Sequence, residues 1–225
     1  MKVKTLSLGN MDNNCYIVYD ETTRDAAIID APTDAAKILS AIVDNQLACN
    51  YILLTHAHYD HIGALDELKN ATGAQVCIHE SEALALNDST ANLARYSGAK
   101  CPVSPADMLL RDGDVVQFGF VNTLVLNTPG HTVGGLCFYC TDTTPCENSI
   151  ITKPALFSGD TLFHKDIGRC DFPGGSYATI KQSIRRKLYT LPDETIVYPG
   201  HGRSTSIAYE KQHNNYIRQD WEYEY

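Results

Sequence analysis

The chain has 225 residues, enough for one domain whose core needs no disulfide bonds. It carries 18 Lys and Arg against 27 Asp and Glu, a formal net charge of -9, so its average field repels phosphate backbones and anionic lipid headgroups. Hydrophobic residues make up 44% and charged residues 20%, as in globular proteins. These numbers exclude a disulfide-stapled miniprotein and disfavour nucleic acid or a membrane as the partner.

The N-terminal segment 1–20 has no pattern of an export signal, because a glycine and several polar residues interrupt its apolar content. No apolar run reaches the roughly 18 residues that a membrane-spanning helix needs. The eight cysteines are scattered through apolar segments, which predicts reduced, buried thiols. Strand alternation places Cys137 and Cys140 on opposite faces, which disfavours a redox or zinc pair. We therefore expect a cytoplasmic protein, as a monomer or homodimer.

The first half of the chain alternates predicted strands and helices. A hairpin is predicted at 14–19 and 26–29, followed by a helix that Thr33 caps and whose apolar spacing continues to Leu47. Next come a strand at 51–55, a helix at 62–71 closed by Gly73, and a strand at 74–79. A helical stretch at 80–86 leads to the polar segment 87–105, predicted to be a long surface loop and a candidate wall or lid.

The second half is predicted to contain five strands and two helices. The strands lie near 115–118, 122–126, 136–139, 155–157 and 195–198, and the helices near 177–188 and 207–219. No linker, low-complexity segment or short repeat divides the chain. The pattern predicts one α/β domain over 1–225, built in layers around two mixed β-sheets.

Five of the eight histidines and one aspartate follow predicted strands and neighbour Gly, Pro or Asp. His56, His58 and His61 lie in the segment Thr55-His56-Ala57-His58-Tyr59-Asp60-His61. His131 ends Thr128-Pro129-Gly130-His131, His201 ends Tyr198-Pro199-Gly200-His201, and Asp160 ends Phe157-Ser158-Gly159-Asp160. Because open α/β sheets build their sites in the loops that follow the strands, these side chains can converge on one edge.

The residue types and their spacing predict a metal centre. Residues two apart do not share a helix face, so the segment with His56, His58 and Asp60 is predicted to be a loop. Imidazole and carboxylate suit Zn, Fe(II) or Mn, and the absence of cysteine from the set argues against a closed structural zinc site. The candidates are too many for one ion but right for two that share a carboxylate. The other histidines have no such context and are predicted to be ordinary polar residues: His79, His164 and His213.

At these residues the chain resembles the metallo-β-lactamase superfamily. The shared motifs, in order, are Thr-His-x-His-x-Asp-His, Thr-Pro-Gly-His-Thr-x-Gly-Gly, Ser-Gly-Asp-Thr-Leu-Phe and Pro-Gly-His. The resemblance implies a four-layer αβ/βα sandwich of two mixed sheets flanked by helices. It also implies two divalent ions, with zinc favoured over iron or manganese. One ion would be held by His56, His58 and His131, and the other by Asp60, His61 and His201, with Asp160 bridging.

Within that superfamily, the segments 159–163, 167–169 and 171–175 resemble the glyoxalase II group, in particular its short bacterial hydroxyacylglutathione-hydrolase-like members. The resemblance places Arg169 near the thiol portion of the substrate, and Phe163 and Tyr177 are the other predicted substrate contacts. Full-length glyoxalase II carries a C-terminal helical domain that contacts glutathione. The predicted single domain lacks it, so the resemblance predicts the chemistry and leaves the thiol open.

The expected function is hydrolysis of a small-molecule thioester, hydroxyacylglutathione or a related acyl-thiol, by a hydroxide that bridges the two metals. Asp60, His61 and Asp160 are the predicted catalytic residues, with Asp60 as ligand and hydroxide orienter. A free thiol has a pKa near 8.5, so a thiolate leaves with far less help from an acid than an amine does.

Other functions compete with this one. A persulfide dioxygenase would share most ligands but use one iron, and a lactonase would share both metals. A non-catalytic metal-sequestering protein would hold saturated ions. Three further classes are disfavoured: a β-lactamase by the segment 158–161, a flavodiiron reductase by His58, and a ribonuclease by the net charge of -9.

Overall fold

The computed structural model describes residues 1–100, 104–142 and 153–218. Its first sheet has six strands in the spatial order of the chain: β1 (Lys2–Leu8), β2 (Asn13–Tyr19), β3 (Asp25–Ile29), β4 (Ala48–Leu53), β5 (Gln75–His79) and β6 (Met108–Leu110). The first three strands are antiparallel, and β3 to β6 are parallel. The sheet is therefore mixed.

The second half of the chain forms a second six-stranded sheet and a small hairpin. Its strands are β7 (Val115–Phe118), β8 (Val121–Asn127), β9 (Leu136–Asp142), β10 (Ala155–Gly159), then the hairpin strands β11 (Leu162–Phe163) and β12 (Asp166–Ile167), then β13 (Ile196–Pro199) and β14 (Thr205–Ser206). The sheet order is β14-β13-β10-β9-β8-β7, with only β10 and β13 paired in parallel. Both large sheets are mixed, as the sequence predicts.

Six α-helices accompany the sheets: α1 (Ala35–Asp44), α2 (Tyr59–Ile62), α3 (Leu65–Thr72), α4 (Ala94–Ser97), α5 (Tyr177–Ser183) and α6 (Ile207–His213). A 3-10 turn covers Ala85–Asn87, and a π-helical turn, Ile184–Leu188, continues α5. Among the described residues, no helix combines the length and apolar character needed to cross a bilayer.

Strand β2 shows why the fold has four layers. Its side chains alternate between two cores, because successive residues of a strand point to opposite faces. Ile17 packs in a cluster with α1 and α3 residues such as Ile38, whereas Tyr16 packs between the sheets with Phe157. A third cluster, around Ile180, fills the space between the second sheet and α5 and α6. The order helix, sheet, sheet, helix confirms the predicted sandwich.

The structure corrects several predicted elements. The first helix is capped by Asp34 rather than Thr33: the Asp34 carboxylate accepts from the backbone NH of Lys37. The predicted helix at 80–86 is a turn followed by the short 3-10 segment. The predicted loop at 87–105 contains α4 in its described part, while 101–103 lie outside the described residues. The last helix was predicted to end at 219 but ends at His213. Position 219 itself lies outside the described residues.

The cysteines follow the prediction where they are described. Six are free. Cys137 packs in the outer cluster and Cys140 between the sheets, which confirms that they lie on opposite faces. Burial raises the pKa of Cys137 to about 11 and that of Cys140 to about 12, so both remain unreactive thiols at neutral pH.

A candidate metal centre at the sheet edge

The predicted ligands lie where strands of the two sheets end. His56 and His58 follow β4, His131 follows β8, and His201 follows β13. An isolated bridge between Asn13 and His201 joins the two sheets at this edge. The topology therefore brings together residues that are far apart in sequence, such as His56 and His201, which are 145 positions apart. The loop prediction for 55–61 is wrong in its second half: Asp60 and His61 lie in α2, a single helical turn.

The first group of donors consists of three buried imidazoles, His56, His58 and His131, whose ligand atoms lie within 4.8 Å of one another. Nε2 of His131 is 3.1 Å from Nδ1 of His58. His131 Nδ1 donates to the backbone carbonyl of Arg169 at 2.7 Å, which leaves its Nε2 as a lone pair. Buried Nε2 of His56 has no hydrogen-bond partner.

The second group contains a carboxylate and consists of Asp60, His61 and His201. Its ligand atoms also lie within 4.8 Å of one another. Oδ2 of Asp60 is 3.4 Å from Nε2 of His201 and 3.6 Å from Nε2 of His61. The amide of Asn13 donates to the same oxygen at 3.0 Å. His201 Nδ1 donates to the carbonyl of Met11 at 2.9 Å, which turns its Nε2 inward, towards Asp60.

Asp160 lies between the two groups. Its Oδ2 is 3.6 Å from Nε2 of His131, in the first group, and 3.7 Å from Nε2 of His201, in the second. Its Oδ1 is 3.4 Å from Nε2 of His61 and has no hydrogen bond. Gly200 permits this approach, because a Cβ there would lie 2.3 Å from Asp160 Oδ1. One carboxylate thus faces both groups.

Asp30 supports both groups from outside, and sequence reasoning missed it. It is buried, with a left-handed backbone (φ 58°), and its Oδ2 accepts from His61 Nδ1 at 2.9 Å and from the Thr55 hydroxyl at 2.8 Å. Since the Thr55 proton goes to Asp30, the hydroxyl oxygen accepts from His56 Nδ1 at 3.0 Å. The available signal was that Asp30 directly follows an apolar strand, as the other donors do.

The electrostatics of the two groups differ. Burial lowers the pKa of His58 to about 3 and also lowers that of His56, so both are neutral. Burial acts in the same direction on His61, but the carboxylates of Asp160 and Asp30 outweigh it and raise the pKa of His61 to about 10. The pKa of Asp60 is lowered, since hydrogen bonding to His201 and the charge of His61 outweigh its burial.

The donor set fits a pair of divalent ions. Neutral imidazole and ionised carboxylate are the ligands that zinc, iron and manganese accept. Three buried polar atoms at the centre have no hydrogen-bond partner: Nε2 of His56, Nε2 of His61 and Oδ1 of Asp160. Because unpaired buried polar atoms are costly, cations in their midst would satisfy them.

A cavity of about 510 Å³ adjoins the second group and Asp160, and Phe163 and Arg169 line it. The Phe163 ring is 6.2 Å from the His201 ring. Arg169 makes two bonds to Asp171, at 2.8 and 2.7 Å, and lies 4.0 Å from the centre of the Phe172 ring. The third predicted substrate contact, Tyr177, is not among the residues that line this cavity; its hydroxyl donates to the carbonyl of Tyr216 at 3.4 Å.

Two further cavity residues escaped sequence reasoning. Arg203, two residues after His201, lines the cavity, and its Nη2 donates to Nε2 of His164 at 2.5 Å. His164, predicted to be an ordinary polar residue, is thus part of the same wall and is stacked on Tyr209. The signal was the position of Arg203 directly beyond a ligand motif.

Residues 8–201 match the family profile described as the metallo-beta-lactamase superfamily. The chain belongs to this superfamily. One similar protein is hydroxyacylglutathione hydrolase GloC from Haemophilus influenzae. It is 32% identical to this chain over 219 residues, which cover 96% of this chain and 98% of GloC.

Three solved structures are similar over nearly all of this superfamily member. BLEG-1 B3 metallo-beta-lactamase has a TM-score of 0.85 and 34% identity, covering 96% of this chain and 99% of that one. TTHA1623, solved in a di-iron-bound form, has a TM-score of 0.80 and 34% identity, covering 96% and 100%. ETHE1 from Myxococcus xanthus has a TM-score of 0.76 and 32% identity, covering 95% and 83%. The fold is common to proteins with different names and activities.

Proposed function

We propose that this metallo-hydrolase cleaves thioesters, hydroxyacylglutathione or a related acyl-thiol, with two divalent ions at the sheet edge. The observation that carries the proposal is the position of Asp160, whose carboxylate faces both donor groups at 3.4–3.7 Å. A shared carboxylate between two three-residue groups is what a pair of adjacent metal ions requires. The similarity to GloC supports a thioester as the substrate.

In this proposal His56, His58 and His131 would hold one ion, Asp60, His61 and His201 would hold the other, and Asp160 would be shared between them. Zinc or iron would serve: the donor types accept both, and TTHA1623 has been solved in a di-iron-bound form. When bound, such ions supply a water of lowered pKa as nucleophile and a Lewis acid for the carbonyl oxygen.

The chain's own residues have the task of holding this geometry. Asp30 fixes the ring of His61, and Asn13 fixes the Asp60 carboxylate, so the donors are oriented before any ligand arrives. Arg169 and Arg203 line the cavity beside Asp160, so it offers two guanidinium groups to an anionic substrate. The thiol portion of the substrate would lie there, and its low pKa lets it leave as thiolate with little help from an acid.

The test is hydrolysis of S-D-lactoylglutathione by the metal-loaded protein, followed as thiol release, with metal counted per chain. We expect about two metals per chain and turnover that His58→Ala abolishes. His213→Ala is the matched control, because His213 is an exposed histidine whose Nδ1 bonds only within α6. Failure of the two-metal protein to cleave any thioester would refute the proposal.

A second candidate, persulfide dioxygenase, is favoured by the similarity to ETHE1. It predicts one iron per chain and sulfite formed from glutathione persulfide in the presence of oxygen. The same preparation should also be given a chromogenic cephalosporin, because of the similarity to BLEG-1, and a lactone, whose ring would open without thiol release. The rates on these four substrates, with the metal count, separate the candidates.

A further inference from the structure

A second cavity, of about 490 Å³, differs chemically from the one beside Asp160. None of its seven lining residues carries a charge at neutral pH, and its walls are mainly Tyr59, Leu93, Tyr96, Phe172 and Pro173. The first cavity contains Arg169, Arg203 and two aspartates. We call the uncharged one the apolar cavity.

The apolar cavity lies beside the first donor group. The Phe172 ring in its wall is 5.5 Å from the His58 ring and 6.4 Å from the His131 ring. Tyr59, which also lines the cavity, directly follows His58 in the chain and precedes Asp60. A group that fills this cavity therefore lies next to the first donor group.

The wall is held in place by hydrogen bonds, so the cavity is preformed. Asn92 is fully buried; its carbonyl accepts from the backbone NH of Tyr59 at 2.8 Å, and its side-chain oxygen accepts from that of Ala94 at 3.0 Å. Leu93, between them, has a left-handed backbone with φ 65°. Such strain in a branched residue persists only where the surroundings impose it, and it is concentrated at functional sites. These bonds hold the part of the wall around Leu93 in place.

We propose that the apolar cavity binds the acyl group of the substrate, which makes the preferred substrates thioesters of apolar acyl groups several carbons long. This inference rests on the proposed function. With the charged thiol beside Arg169 and Arg203 and the acyl chain against Leu93 and Phe172, the thioester carbonyl lies between the donor groups. An uncharged cavity of this size gains affinity from each CH₂ group it buries.

The test is a series of acetyl, butyryl, hexanoyl and octanoyl thioesters of glutathione, compared by kcat/KM. Each CH₂ buried is worth up to about fourfold, so the wild-type octanoyl-to-acetyl ratio should be well above tenfold. Leu93→Asn should lower that ratio about tenfold or more, because asparagine tolerates the left-handed backbone but places an amide in the wall. Leu84→Asn is the matched control, since Leu84 is 88% exposed and does not line this cavity.

A second variant guards against misfolding: Tyr96→Gln, at a side chain that is 73% exposed, should lower the same ratio with an unchanged Tm. A wild-type ratio near one, or a ratio that both variants leave unchanged, overturns the inference while thioester cleavage still stands. If no thioester is cleaved, the proposed function fails separately. In that case, binding of the neutral fluorescent probe N-phenyl-1-naphthylamine tests the apolar cavity. The inference requires that the wild type binds the probe and that Leu93→Asn binds it more weakly. Equal binding by both proteins, or no binding, overturns the inference.

Discussion

The two donor groups lie side by side, but their buried polar atoms are compensated in different ways. His56, His58 and His131 are buried imidazoles, each at most 7% exposed, and Nε2 of His56 has no hydrogen-bond partner within the described residues. In the second group, Asp60 pairs with His201 and His61, and the His61 ring bonds to Asp30. Nε2 of His61 also has no hydrogen bond, but it lies 3.4 Å from the Asp160 carboxylate and 3.6 Å from that of Asp60, whose charges compensate it.

The first donor group depends more on a bound cation than the second. Leaving a buried polar atom unpaired costs about 1–3 kcal/mol, a cost that Nε2 of His56 bears in full without metal and that the neighbouring carboxylates offset at Nε2 of His61. Side-chain exposure points the same way, because His201 is 26% exposed and Asp60 15%. We therefore expect the first group to retain its ion more tightly than the second group does.

The largest effect is expected where the groups meet. Asp160→Asn keeps the size of the side chain but removes the charge that faces both groups, so both ions lose a ligand. Turnover should fall by about 10³-fold or more, since several kcal/mol of stabilisation are lost. Steady-state rates and metal analysis measure this. Asp193→Asn, at a carboxylate 66% exposed and paired with Lys211, should change neither. Loss of only one metal would show that Asp160 belongs to one group.

The next effect separates the groups. During titration with a chelator, metal should leave in two steps, with affinities that differ by about 5- to 150-fold according to the cost of the unpaired atoms. His201→Ala should abolish the weak step, and His58→Ala the tight one. Metal retained per chain and the accompanying fall in Tm report each step, because a bound ligand stabilises the fold. If His58→Ala removed the weaker metal, the order assigned to the two groups would be reversed.

Much of this comparison could be predicted from sequence, and the exceptions have physical reasons. Strand alternation is a local signal, and it predicted β7 with its observed bounds. The position of the candidate ligands after strands is a second local signal, and the structure brings the seven predicted donors close together. The helical turn at Asp60 and His61 was missed, because four residues give no periodicity. The short strands β6 and β14 were missed for the same reason.

The supporting residues could not be predicted because their roles depend on contacts distant in sequence. Asp30 lies 31 positions before the ring that it holds, and Asn13 lies 188 before His201. The left-handed Leu93 follows from its fixed neighbours rather than from its own preference. Local pattern identifies ligands, whereas their orientation is a property of the folded chain.

A smaller effect is expected from Asp30→Asn, which tests whether support for the second group also serves the first. Asparagine keeps the size but changes the bonds to His61 and Thr55, through which His56 is also held. Loss of such an outer partner costs about 10- to 100-fold in metal affinity or activity. Chelator competition should show weakening in both steps. Asp44→Asn, at an exposed carboxylate, is the control. An effect on the weak step alone would show that Thr55 does not transmit it.

The smallest effect is expected from Asn13→Ala, because Asn13 supports only the second group. Its buried side-chain amide donates at 3.0 Å to Oδ2 of Asp60, which is 15% exposed, so its loss removes one hydrogen bond to a charged and partly solvated oxygen. Such a bond contributes about 1.5–3 kcal/mol when buried and less where water can replace it, so we expect up to about tenfold weaker binding in the weak step. The tight step should be unchanged, as should both steps in Asn70→Ala, at an exposed position on α3. Equal weakening of both steps would mean that the groups are coupled through Asp160 and do not bind their ions independently.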